Sequence, residues 1–144
     1  MPAKFDHEKL EGYQLQLQFI SWVTAFFEEL HDSKPARVAE SINQLDRASL
    51  SVLLNIAEGN GRRASQQRVR FFDDARGSAT ECAACLDALT AKQVTTAERV
   101  AEGKVLLLRV VSILSKLIER FSTTAAEEGE EARTRTSRRT RTSF

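Results

Sequence analysis

Residues 50–89 read LSVLLNIAEGNGRRASQQRVRFFDDARGSATECAACLDAL, and this stretch decides the fold. Ser51 to Glu58 is apolar at helical spacing, and Gly59-Asn60-Gly61 follows. Glycine just past a helix end can take the left-handed conformation that closes the last turn, so the spacing predicts a corner there. Ser65 has the chemistry of an N-cap, because its hydroxyl can satisfy a free amide of the next helix's first turn. So short a connection makes the two flanking helices antiparallel neighbours.

Working outward, the spacing predicts a first helix over about His7 to Leu30. Leu10, Tyr13, Leu17, Ile20 and Phe27 share one side at about 100° per residue. Leu15, Phe19, Trp22, Phe26 and Leu30 form a second stripe nearly opposite. An outer helix of a lone bundle needs only one apolar stripe, so the aromatic one is expected to be a subunit interface. The alternative is a single wide core face with an aromatic rim. Asp32-Ser33-Lys34-Pro35 reads as a stop and restart, with proline tolerated in a first helical turn. A second helix over Pro35 to Glu58 points Val38, Ile42, Leu45, Val52 and Ile56 inward and keeps Arg37, Glu40, Asp46 and Arg47 wet.

The third helix spans about Ser65 to Ala91, with Val69, Phe72, Ala79, Ala83 and Leu86 in one stripe. Gly77-Ser78-Ala79 and Cys82-Ala83-Ala84-Cys85 are small enough to predict a close backbone neighbour, which would compensate the roughly 1 kcal/mol that a helical glycine costs. Thr95-Thr96-Ala97-Glu98 fits a capping box opening a fourth helix that ends near Phe121. There Val100, Leu107, Leu114 and Phe121 repeat every seven residues with Val111 and Ile118 between them, a bundle seam. Leu106, Val110, Ile113 and Leu117 add a second apolar stripe, again expected to face another subunit. The chain thus divides into a bundle over residues 1–122 and an Arg/Thr-rich tail over 123–144. That tail lacks an apolar period and is expected to be mobile, with a helical extension as far as Arg133.

Composition bounds the function. In 144 residues, hydrophobic types make up 42% and charged types 28%, which places the chain among ordinary globular domains. The whole chain carries 21 Lys+Arg and 20 Asp+Glu. Five arginines and four glutamates lie in the tail, which leaves 16 of each in a neutral body. Any electrostatic function must then come from local patches. The N-terminus lacks the layout of a secretory signal, and the most apolar run, Val105 to Ile118, is broken by Arg109 and Lys116 and is too short to span a bilayer. Two cysteines without an export signal fit a reducing compartment, so the expected location is cytoplasmic.

Four features invite a functional reading. Arg62, Arg63, Arg68 and Arg70 crowd the start of the third helix, where cations oppose the macrodipole unless an anion arrives. Guanidinium groups beside free first-turn amides would take a phosphate. The plainer reading is a solvated or internally paired surface. Arg76 lies in an apolar stripe and calls for a carboxylate, either Asp73 or Glu58 across the corner. Cys82-x-x-Cys85 sits mid-helix among alanines, away from the exposed helix start that redox chemistry needs, so core packing is the reading. The Arg-Thr tail fits a nucleic-acid or anionic-lipid tether, or simple solubility. No catalytic base, nucleophile or metal-ligand set accompanies these residues, so no enzyme, cofactor or small-molecule substrate is expected.

Asn55-Ile56-Ala57-Glu58-Gly59, Gly61-Arg62-Arg63-x-Ser65, Arg70-Phe71-Phe72 and Ala75-Arg76-Gly77-Ser78-x-x-Glu81 together resemble the signature of a small four-helix-bundle family. That family is named for proteins encoded in intervening sequences of bacterial 23S ribosomal RNA genes, and it includes accessory proteins of diversity-generating retroelements. The resemblance implies an all-α, up-down antiparallel four-helix bundle in one domain, assembled as a ring-like homo-oligomer, a homopentamer. It implies no enzymatic activity, and RNA or DNA binding in the retroelement branch. The resulting expectation is a non-enzymatic accessory or assembly factor. The Asn55–Gly61 corner, with Glu58, Gly59 and Arg76, would present the four arginines. The alternative is a protein-interaction scaffold that binds no nucleic acid.

Overall fold

The computed structural model describes residues 3–30 and 36–141. A 3-10 turn at Asp6–Lys9 leads into α1 (Glu11–Leu30), followed by α2 (Ala39–Gly61), α3 (Ser65–Ala91) and α4 (Ala97–Arg141). Among the described residues every regular element is helical. The expected restart at Asp32–Pro35 lies outside them, and a 3-10 turn at Ala36–Val38 leads into α2.

Side-chain bridges fix the order and direction of the helices. Lys104–Asp87 (2.5 Å), Arg76–Ser115 (3.3 Å) and Ser65–Glu128 (3.1 Å) form antiparallel rungs between α3 and α4. Ser51–Ser78 (3.0 Å) and Gln44–Glu81 do the same for α2 and α3. Arg99–Glu29 and Arg109–Glu11 join α4 to α1, and the Gln16 amide donates to the Ser49 carbonyl at 2.9 Å between α1 and α2. The result is an up-down four-helix bundle, as the resemblance implies. α2 follows its apolar spacing closely: Val38, Ile42, Leu45, Val52 and Ile56 are all buried.

α1 departs from expectation. The aromatic stripe faces the core, not a partner: Leu15, Phe19, Phe26 and Leu30 are buried, with Trp22 half-buried beside them. On the side expected to face in, Leu17 is exposed while Leu10, Tyr13 and Phe27 pack partly buried against the core, so α1 is nearer the alternative of one wide core face. Trp22 stacks on Phe26 at 5.2 Å and on Phe19 at 5.7 Å, and Arg99 lies over Trp22 and Phe26. The physical reason is Gly103 on α4, where a Cβ would overlap the six-membered ring of Trp22. Its absence lets the indole lie directly on the α4 backbone. The second stripe of α4 is drawn inward in the same way. Leu106 and Val110 are buried, while Ile113 and Leu117 pack half-buried against the core. None of Leu15, Phe19, Phe26, Leu106 and Val110 is available to a second copy.

Two smaller expectations also change. Nothing lies within 4 Å of a Cβ built on Gly77, so no backbone passes close there. Ala79, Thr80 and Ala83 instead border an open apolar groove with Val105, Leu108 and Val111 of α4, about 350 Å³ in volume. At the start of α4 it is Thr96, not Thr95, whose hydroxyl accepts from a first-turn amide, that of Arg99, at 3.1 Å.

α4 also runs on to Arg141 instead of stopping near Phe121. Ala, Glu and Arg are strong helix formers, and Thr123, Thr124, Thr134, Thr136 and Thr140 turn their hydroxyls onto carbonyls one turn back.

Two outcomes check this packing. Gly103→Ala overpacks the Trp22 contact and lowers stability by about 1–3 kcal/mol in urea unfolding. Gly77→Ala meets open space and raises it by up to about 1 kcal/mol. Glu29 accepts a bidentate hydrogen bond from Arg99, at 2.6 and 2.7 Å, which holds its carboxyl below the usual range despite an opposing contribution from burial. A lowered folded-state pKa contributes stability above the ordinary value of 4.5 and loses it as the pH falls. Glu29→Gln therefore melts below the wild type at neutral pH, and the gap closes as the pH falls below the ordinary carboxylate range.

Candidate functional site

The corner between α2 and α3 is built differently from the glycine closure that its sequence predicts. α2 stays helical through Gly59, Asn60 and Gly61, and among the described residues no glycine has a positive φ. Arg62 turns the chain with extended backbone (φ −83°, ψ 141°), its amide donating to the Gly59 carbonyl at 3.3 Å. Gly59 is needed for room: a Cβ there would come within 2.9 Å of the Phe72 ring and 3.0 Å of Phe71 Cβ. Gly61 meets nothing within 4 Å. The left-handed closure falls at the other end of α3, on Gln93 (φ 62°). There the Val94 amide reaches back to the Leu89 carbonyl and that of Gln93 to the Thr90 carbonyl, the six-residue capping pattern.

α3 starts after Ala64, whose side chain offers no cap. Ser65 donates instead to the Glu128 carboxylate of α4 at 3.1 Å, so an internal anion stands beside the α3 N-terminus. Asn60 ties the corner to Asp6 at 3.0 Å. Asn55 does not reach the arginines: its amide bonds Ser51, one turn back on its own helix.

The four arginines divide into two pairs. Arg62 holds Glu58 at 2.5 Å and lies over the Phe71 ring, 4.9 Å from its centroid. Arg68 donates to the Arg62 carbonyl at 2.6 Å and lies over Phe121 at 5.0 Å. Stacking occupies the guanidinium face and leaves N–H donors around the rim. Arg63 and Arg70 are exposed, and among the described residues neither has an ion-pair partner. Arg120 also stacks on Phe121, at 5.3 Å, and the adjacent Phe72 ring lies 6.1 Å from Phe121. The sequence reading missed Arg120 and Phe121 because the site spans α3 and α4, distant in the chain. An Arg-Phe pair at the end of an apolar seam was the only signal.

Arg76 lies outside this cluster. It pairs with Asp73 at 2.8 Å and donates to Ser115 on α4, its side chain 38% exposed. Glu58 belongs to Arg62, so Arg76 links α3 to α4 and does not pin the α2–α3 corner. Cys82 is buried, and that burial, helped by Cys85 and Glu81, pushes its thiol up to about 12. Burial raises Cys85 as well. Both are protonated packing groups at neutral pH. Among the described residues no group of three His, Cys, Asp or Glu side chains is placed to hold a metal ion, and no helix is long and apolar enough to cross a membrane.

The chain belongs to the 23S rRNA-intervening sequence protein family, whose model matches residues 8–116. No curated protein and no solved structure matches it.

The division of the arginines is measurable. Arg68→Ala loses a carbonyl hydrogen bond and a stacked cation, and lowers unfolding free energy by about 1–2 kcal/mol. Arg63→Ala and Arg70→Ala change it by no more than about 0.5 kcal/mol each.

Proposed function

We propose that this protein is a non-enzymatic, homo-oligomeric, nucleic-acid-associated accessory protein. The family is tied by name to a ribosomal RNA gene, which supports an RNA-related role. The carrying observation is the corner, where exposed Arg63 and Arg70 flank two arginines held on aromatic rings. Phosphates neutralised there would relieve the charge crowded at the head of α3.

Association is the second half of the reading, and it uses other residues than the aromatic stripe of α1. Leu108 (67% exposed) and Val105 (58%) rim the groove between α3 and α4. Leu50, Leu54 and Leu17 stand exposed on α2 and α1, helices that do not line that groove. Two different apolar patches favour head-to-tail contacts, which close into a ring when the rotation per subunit allows. A ring repeats the arginine corner, and repetition turns weak phosphate contacts into useful affinity. The resemblance to proteins of the retroelement branch makes a pentamer the expected ring.

The same groove supports the alternative, a scaffold for another protein with no nucleic-acid role. Light scattering and an RNA titration separate the two. The wild-type chain is expected to run as a multimer, and Val105→Glu with Leu108→Glu to release monomers. Labelled single-stranded RNA is expected to bind with an affinity that falls steeply between about 50 and about 200 mM salt, and to weaken when Arg63 and Arg70 become alanine. A monomeric wild type that binds no RNA at low salt overturns this function. A multimer that binds no RNA leaves the scaffold.

A further inference from the structure

The part of α4 beyond the bundle is a third basic feature, outside the family match and separate from the corner. Glu128 meets Ser65 at the very start of α3, so the bundle ends at that level. α4 continues from Gly129 to Arg141, about 20 Å at about 1.5 Å per residue. Every residue from Glu130 to Arg141 is exposed. Projected at about 100° per residue, Arg135, Arg138, Arg139 and Arg141 fall within an arc of about 160°. Arg133 stands outside that arc, 3.9 Å from Glu130. The remaining side chains of the arm beyond Arg133 are short hydroxyls. Those of Thr134, Thr136 and Thr140 are spent on the helix's own carbonyls.

We propose that this arm is a duplex-DNA-binding element that lies in the major groove and contacts the phosphates on either side through Arg135, Arg138, Arg139 and Arg141. Three comparisons of chemistry single out that partner. Nothing more apolar than alanine occurs between Ser122 and Arg141, so the arm has no seam for a coiled coil with a second copy. For the same reason it has no apolar face to bury in a lipid interface. A helix with side chains is about 10–12 Å across, which matches the B-DNA major groove of about 12 Å, whereas the A-form groove of duplex RNA is too narrow to admit it. Glu127, Glu128, Glu130 and Glu131 at the base of the arm repel phosphate, so the duplex is held at the tip and away from the bundle. The arm shares with the reading above only the class of partner, nucleic acid; its residues are different, so the two can fail separately.

The test is a fluorescence anisotropy titration of the full chain against a labelled duplex of about 20 bp, two helical turns, as DNA and as RNA. The variant carries Arg135→Gln, Arg138→Gln, Arg139→Gln and Arg141→Gln, exchanges that keep good helix formers, and circular dichroism confirms its helicity. The expected result is duplex-DNA binding that weakens at least about tenfold in the variant, with the slope of log K against log salt shallower by about 3 to 4. Duplex RNA should show no such difference, and Arg63→Ala with Arg70→Ala should leave the DNA slope in place. No duplex-DNA binding by the wild type, equal DNA affinity in the variant, or an equal loss for duplex RNA would each overturn the proposal.

Discussion

The contact on which the bundle depends is the six-membered ring of Trp22 seated against α4 at Gly103. A tryptophan on an outer helix must either be buried or present a large apolar face to water. Here a missing side chain on the opposing helix makes the space. With the six-membered ring of the indole seated at Gly103, Phe19 and Phe26 both stack with it, and Arg99 covers the Trp22 and Phe26 rings while Glu29 holds the guanidinium. The rotation of α1 about its own axis follows from that one contact, and so does the identity of the residues left outside.

The extension of α4 to Arg141 has no apolar period to announce it. The order and direction of the four helices, by contrast, are legible in the apolar spacing and short connections, with α2 the clearest case. Its inward set has no competitor, because charged residues occupy the other faces. α1 has two apolar stripes of similar strength, and periodicity alone cannot rank them. What ranks them is a glycine some eighty residues further on, together with Gln16, whose buried amide finds the Ser49 carbonyl only if the aromatic stripe faces in. Long-range complementarity of this kind leaves no mark on a helical projection. The glycine corner misleads for a related reason. Gly59 resembles a conformational residue, yet it is a steric one, selected by Phe71 and Phe72. The true left-handed closure falls on Gln93, where composition gives no hint of it.

The arginine corner is partly legible. Its position at the head of α3 follows from the sequence, but the division of its charges does not. Two cations are absorbed by rings and by Glu58, and the α3 N-terminus already has a carboxylate neighbour in Glu128. The site is therefore less electropositive than its four consecutive-looking arginines imply, and what remains for a phosphate is Arg63, Arg70 and the rims of the stacked pair.

Burying the aromatic stripe of α1 still leaves apolar surface elsewhere, with Val105 and Leu108 exposed on α4. α3 buries Phe72, Leu86 and Leu89 in the core, but where it borders α4 it offers the small residues Ala79 and Ala83. Small residues on one helix beside Val105 and Leu108 on the next leave a groove that water must fill or another chain must cover. The hydrophobic effect favours covering it, at roughly 25 cal/mol for each Å² of apolar surface removed from water. The other exposed large apolar side chains among the described residues are Phe5 near the N-terminus, Leu17 on α1, and Leu50 and Leu54 on α2. None of them lines the groove, so within one copy its apolar rim stays open to water.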